Sequence, residues 1–163
     1  MSFYATYLCN KSPTMKNIFY LLGILFFLYS CGTNKTEEPE IPVQEVYMWQ
    51  AGMNDSTGLL EMTKVMSSDI DSVSVPSVLS YFNTTNNNIK LDLVKISGDT
   101  IYLQITDAAY LTQQMGSAGP TTYIAGLVYN LTEIPGISYV NLDFEEGDHA
   151  QPGTYNRENF KDN

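Results

Sequence analysis

Residues Gly119–Phe144 read GPTTYIAGLVYNLTEIPGISYVNLDF, a helix, a stop and a strand in that order. Tyr123, Ile124, Leu127, Val128, Leu131 and Ile134 recur at helical spacing and form one wide apolar stripe. Gly119 suits the N-cap, and Pro120 suits the first helical position, where its missing N–H costs nothing. Pro135-Gly136 stops the helix. Ser138, Val140, Leu142 and Phe144 then alternate with Tyr139, Asn141 and Asp143, the period of a half-buried strand.

Upstream, Ile89, Leu91 and Leu93 alternate with Lys90 and Asp92, and Ile101, Leu103 and Ile105 alternate with Tyr102 and Gln104. Ser97-Gly98-Asp99 between the two runs is a turn signal, so an antiparallel hairpin is expected. The phase shift at Val94 to Ile96 predicts a bulge near the turn, because otherwise the apolar face would change sides. Val46-Tyr47-Met48-Trp49 is β-prone. Leu59–Val65 reads as a second strand, with a short helix as the alternative. Pro76–Phe82 suits a helix presenting Val78, Leu79 and Phe82 on one face, broken by the Asn-rich stretch Asn83–Asn88. The order strand, strand, helix, hairpin, helix, strand defines an α/β (α+β) fold: a small mixed sheet with two main helices packed on it.

The first 30 residues read as a targeting segment. Ile18–Tyr29 (IFYLLGILFFLY) is an apolar run of 12 residues, well short of the roughly 20 that a spanning helix needs. Met15-Lys16-Asn17 places a positive charge directly before it, so Met15 is the expected start and 1–30 the signal peptide. Cys9 would then be absent from the product, leaving Cys31 as its one thiol. Leu28-Tyr29-Ser30-Cys31 resembles a bacterial lipobox, which makes Cys31 the expected lipidation site and a lipid anchor the expected membrane link. Gly32–Gln44 is polar, with two prolines and no apolar period, so residues 31–45 form the lipidated cysteine and a flexible tether. Within it, Lys35-Thr36-Glu37-Glu38 resembles the export signal of surface lipoproteins, with a solvated linker as the competing reading. Residues 46–163 have the length of a single domain.

All 18 acidic residues lie beyond position 31, against six basic ones there (Lys35, Lys64, Lys90, Lys95, Arg157 and Lys161), which leaves the cleaved chain at −12. Nucleic acid and anionic lipid headgroups are therefore poor partners.

Five potential ligands, Asp143, Glu145, Glu146, Asp148 and His149, fall within seven residues. Hard oxygen ligands in a loop can hold calcium, but the spacing is not that of an EF-hand, and carboxylates at a strand end usually face water. No metal and no cofactor is expected. Glu145 and Glu146 would point to opposite sides of a strand, which argues against a glycosidase pair. His149 is the one histidine, and no nucleophile-elbow motif accompanies it. No catalytic residue is assigned. Gly116–Gly119 before a helix offers backbone N–H groups to an anion, but without the lysine of a P-loop a loop and cap is the better reading. The aromatics Tyr47, Trp49, Tyr81, Phe82, Tyr102, Tyr110, Tyr123 and Tyr139 lie mostly on strand or helix periods and read as core; clustered on one exposed face, they would favour binding. Asp55-Ser56-Thr57, Asp71-Ser72-Val73 and Asp99-Thr100-Ile101 resemble a short O-glycosylation acceptor motif, which marks Ser56, Ser72 and Thr100.

From Ile89 to about Phe160 the chain resembles the GerMN domain, of the sporulation and germination GerM type. The resemblance is carried by LDLVKISGDTIYLQIT, the step Gly116-Ser117-Ala118-Gly119 into a helix, and LVYNLTEIPGISYVNLDF. In the family the last stretch is a helix ending in asparagine or threonine, then Leu-Thr, a Pro-Gly turn and the closing strand, running here into Glu146-Gly147. Pro152-Gly153-Thr154-Tyr155, Arg157 and Phe160 fit more loosely, and residues 46–88 only in outline. The resemblance implies a fold like that of ring-building envelope proteins, and a role in binding other envelope components without catalysis. The expectation is an outer-membrane or other envelope lipoprotein whose domain is an interaction or scaffolding module. The alternative is an accessory lipoprotein that binds or hydrolyses glycan, including peptidoglycan.

Overall fold

The computed structural model describes residues 45–161. The expected signal peptide, Cys31 and the expected tether up to residue 44 lie outside the described residues. Two strands open the domain, β1 (Val46–Met53) and β2 (Leu60–Ser67), paired antiparallel. Helix α1 (Val75–Thr85) follows, then β3 (Leu91–Ser97) and β4 (Thr100–Ile105). A π-helical turn (Tyr110–Gln114) leads into α2 (Gly119–Leu131), which delivers the chain to β5 (Tyr139–Asp143), β6 (Gly153–Tyr155) and a final 3-10 turn (Arg157–Phe160).

The main sheet has the order β3-β4-β5-β6 and is mixed, with β4 and β5 parallel and the outer pairs antiparallel. A parallel pair needs a crossover, and α2 supplies it. Ile101, Leu103, Val140 and Leu142 face inward and are buried, as their alternation predicts. From α2, Tyr123, Ile124, Leu127, Val128 and Leu131 complete the core, and α1 adds Val78, Leu79 and Phe82. Each Leu or Ile so buried contributes roughly 1.5–3 kcal/mol. Ala125 and Gly126 are buried too, because α2 touches β1 and α1 as well as β5.

The structure departs from the sequence reading in several places. β1 and β2 form a two-stranded sheet of their own and do not join the mixed sheet. The edge of β1 away from β2 meets Asn130 of α2, which accepts from the Trp49 N–H (2.9 Å) and donates to the Trp49 carbonyl (2.8 Å). A side-chain amide thus fills the place of a further strand. Asn83 does the same for Leu91 at the edge of β3, at 2.8 and 3.0 Å. That is why α1 continues through Asn83 to Thr85 where a break was expected: the asparagine amide has found a backbone partner outside its own helix, so it does not compete with helical hydrogen bonds. Ser74, one residue before the helix, caps α1 by accepting from the Ser77 N–H.

At α2 the cap falls one residue earlier than expected, on Ala118, with Pro120 still in the first turn. Gly119 is needed for a different reason: a Cβ there would lie 2.6 Å from the Met115 Cβ. The bulge is present, as a register shift between Leu93 and Lys95. The π-helical turn and β6 carry no periodic pattern that announces them.

Candidate functional site

One carboxylate ties three elements together. Glu133, just beyond α2, accepts from the Trp49 indole N–H at 2.9 Å, from Lys64 Nζ at 2.8 Å and from Arg157 Nη2 at 2.7 Å. These donors come from β1, β2 and the 3-10 turn respectively. Arg157 also donates to the Tyr129 carbonyl and to the Thr132 hydroxyl. Its guanidinium lies over both the Tyr129 and Trp49 rings, at 5.0 and 5.6 Å, and those rings meet edge to face. Partial burial pushes the Glu133 carboxyl up, but the hydrogen bonds from Lys64, Trp49 and Arg157, with the charge of Arg157, outweigh it and hold the group at about 2. A carboxylate so fully engaged is a structural clasp and a poor proton acceptor.

Beside the clasp, with Trp49 in its lining, a cleft of about 430 Å³ opens where β1, α1 and α2 meet. Tyr81, Phe82 and Tyr123 wall it, joined in a series of edge-to-face contacts. Ala51, Gly119 and Gly126 keep it open, and Gln50, Thr85, Asn86 and Thr122 bring amides and hydroxyls to it. Among the described residues no aspartate, glutamate, lysine or arginine lines it.

A third feature is the free edge of β3. Leu93 and Ile96 stand opposite Leu103 and Ile101, on the face that elsewhere packs into the core, yet they are 45% and 49% exposed. Val94, at the bulge, is 59% exposed. Asn83 closes the edge at Leu91, and past it the outward backbone groups meet no partner among the described residues.

The structure distributes the other singled-out residues without uniting them. Asp143 ends β5, and Glu145, Glu146, Asp148 and His149 lie exposed in the loop after it, so Glu145 and Glu146 are not on a strand at all. Among the described residues no three His, Cys, Asp or Glu side chains are grouped for a metal ion. The loop is shaped by packing: Gly147 sits against Thr112 of the π-helical turn, and the His149 N–H donates to the Thr112 carbonyl. Gly116 takes a left-handed φ of +68° in the turn before α2, so the glycines there serve a turn and a close contact. Ser56 and Ser72 are exposed in loops, whereas Thr100 is half-buried and its hydroxyl bonds Asp99. Cys31 lies outside the described residues.

Sequence reasoning assigned no role to Glu133 or Lys64, which are 69 residues apart in the chain, and read Asn83 only as part of a helix-breaking stretch, although its partner Leu91 is eight residues on. Asn130 was visible as the family's helix-ending asparagine, and the structure supplies its reason.

The arrangement of hairpin, helix, mixed sheet and crossover can now be set against known proteins. A family model described as Germane, sporulation and spore germination, matches residues 25–148. The chain belongs to the Germane family. The match begins well before Ile89, so it takes in the β1–β2 hairpin and α1, which the sequence resemblance reached only in outline. It ends before β6 and Arg157, so the tail pieces lie outside the Germane match. No curated protein and no solved structure matches the chain.

Proposed function

We propose that this Germane-family chain is a lipid-anchored envelope protein, held by Cys31, whose domain is a non-catalytic interaction module that docks a strand of an envelope partner on β3. The observation that carries the reading is the open edge from Leu93 to Ser97, with Leu93, Val94 and Ile96 exposed beside it. Main-chain pairing at such an edge gives affinity, and side-chain pockets give selectivity. The bulge and the flanking Lys90, Asp92 and Lys95 are devices that keep an exposed edge from pairing indiscriminately. Among the described residues no helix is long and apolar enough to cross a membrane, and a lipid on Cys31 supplies the attachment instead.

The test has two arms. Cys31→Ala is expected to abolish palmitate labelling and release the protein from membranes. Leu93→Glu with Ile96→Glu is expected to abolish recovery of an envelope partner in crosslinked pull-downs, while the melting temperature stays nearly constant because both side chains are exposed. Unchanged recovery from the double variant would overturn the docking assignment.

A further inference from the structure

The cleft between β1, α1 and α2 has its own chemistry, separate from the β3 edge. Its volume of about 430 Å³ lies within the range of small-molecule sites, which are mostly apolar with a few placed polar groups. The Tyr123 side chain lines it and is only 5% exposed, and the hydroxyl is shielded from water with no hydrogen-bond partner. A buried donor left unpaired is costly, and a small turn of the Tyr123 side chain toward an oxygen acceptor in the cleft would satisfy it.

Tyr81, half-buried on α1, lines this cleft and also a second groove of about 750 Å³ on the other flank of the helix. Thr85 is shared in the same way. The second groove adds hydroxyls from Ser72, Ser77, Ser80 and Thr84, with Asp69 and Asp71 beside them. A chain of several units can therefore run from one concavity to the other past a single aromatic ring.

We propose that these two concavities bind a neutral oligosaccharide, with one sugar seated in the cleft against Tyr81 and Tyr123 and the next sugars crossing α1 toward Ser72 and Ser80. Tyrosine presents an apolar face and a polar tip, the pairing that a sugar ring requires. An anionic ligand would meet Asp69 and Asp71 on a chain of net charge −10. Among the described residues a cationic ligand finds no carboxylate in the cleft and meets Asp69 and Asp71 only in the second groove, and a purely apolar one leaves the Tyr123 hydroxyl unpaired. A peptide strand needs the edge of β1, and Asn130 already occupies that edge at Trp49.

Trp49 is the protein's single tryptophan and lines the cleft, so its fluorescence reports occupancy. The full chain is titrated with the tetramers of N-acetylglucosamine and of glucose, with a sulfated tetrasaccharide, and with a capped extended pentapeptide. A saturable change with a neutral tetramer is expected. Tyr81→Ala should weaken it about tenfold by removing the stacking ring. Tyr123→Phe should weaken it several-fold while leaving the melting temperature equal or higher, since that variant removes only an unpaired buried hydroxyl. Silence with both neutral tetramers, equal binding by the two variants, or binding of the peptide or sulfated sugar in their place would overturn the proposal. The site shares no residue with the β3 edge, so its failure leaves the docking reading intact.

Discussion

At the scale of single residues, the molecule depends on polar side chains that take the place of backbone. Asn130 is 1% exposed and satisfies both the N–H and the carbonyl of Trp49, while donating within its own helix to the Gly126 carbonyl at 2.8 Å. Asn130→Ala leaves those groups unpaired and is expected to cost about 2–4 kcal/mol in denaturant unfolding. Loss of less than about 1 kcal/mol, the worth of one ordinary hydrogen bond, would contradict this role. Glu133 sets a pH dependence of definite sign. Its carboxyl falls from the ordinary 4.5 to about 2 in the folded protein, so the stability it supplies is complete above about pH 5 and is lost as the pH falls through 2. Glu133→Gln should therefore lower stability at pH 7 by about 1–2 kcal/mol, tempered by partial exposure, and flatten the melting-temperature profile between pH 5 and 2. A parallel profile in the variant would remove Glu133 from that account. Asn130 shows in the sequence only as the family's helix-ending asparagine and Glu133 not at all, because neither side chain gives a sign of the strand that lies across from it.

At the scale of elements, alternation and helical spacing located most of the secondary structure. The stripe from Tyr123 to Leu131, the alternation of β4 and β5 and the bulge in β3 all follow from counting apolar positions. What periodicity cannot show is which face finds a cover. Leu93 and Ile96 carry the inward pattern and lie on the inward face, yet they are left about half exposed. The π-helical turn was illegible for another reason: its shape is set by a tertiary contact with the loop after β5. A Cβ on Gly147 would lie 2.5 Å from the Thr112 Cβ. Gly147→Ala is thus expected to destabilise the domain by roughly 1–3 kcal/mol through overpacking and to raise amide exchange in Tyr110–Gln114. Wild-type stability in that variant would show that the loop has room to move.

At the scale of the whole molecule, α2 is the shared wall. It closes the mixed sheet on one side and holds the β1–β2 hairpin through Asn130 and Glu133. On the proposed reading, Cys31 carries the lipid that holds the domain at a membrane, and the open edge of β3 is what it presents to a neighbour. The family was legible from the hairpin, the crossover helix and the closing strand. The placement of the first hairpin was not, since two strands in sequence do not state which sheet they join. The central claim is that β3 is the docking edge, and a photo-crosslinking residue at Val94, introduced into the full chain in its own host, tests it most directly. A discrete crosslinked envelope protein from position 94, absent when the same residue stands at Ser56 in the exposed hairpin turn, is the predicted result. No adduct at 94, or the same adduct from both positions, would contradict it.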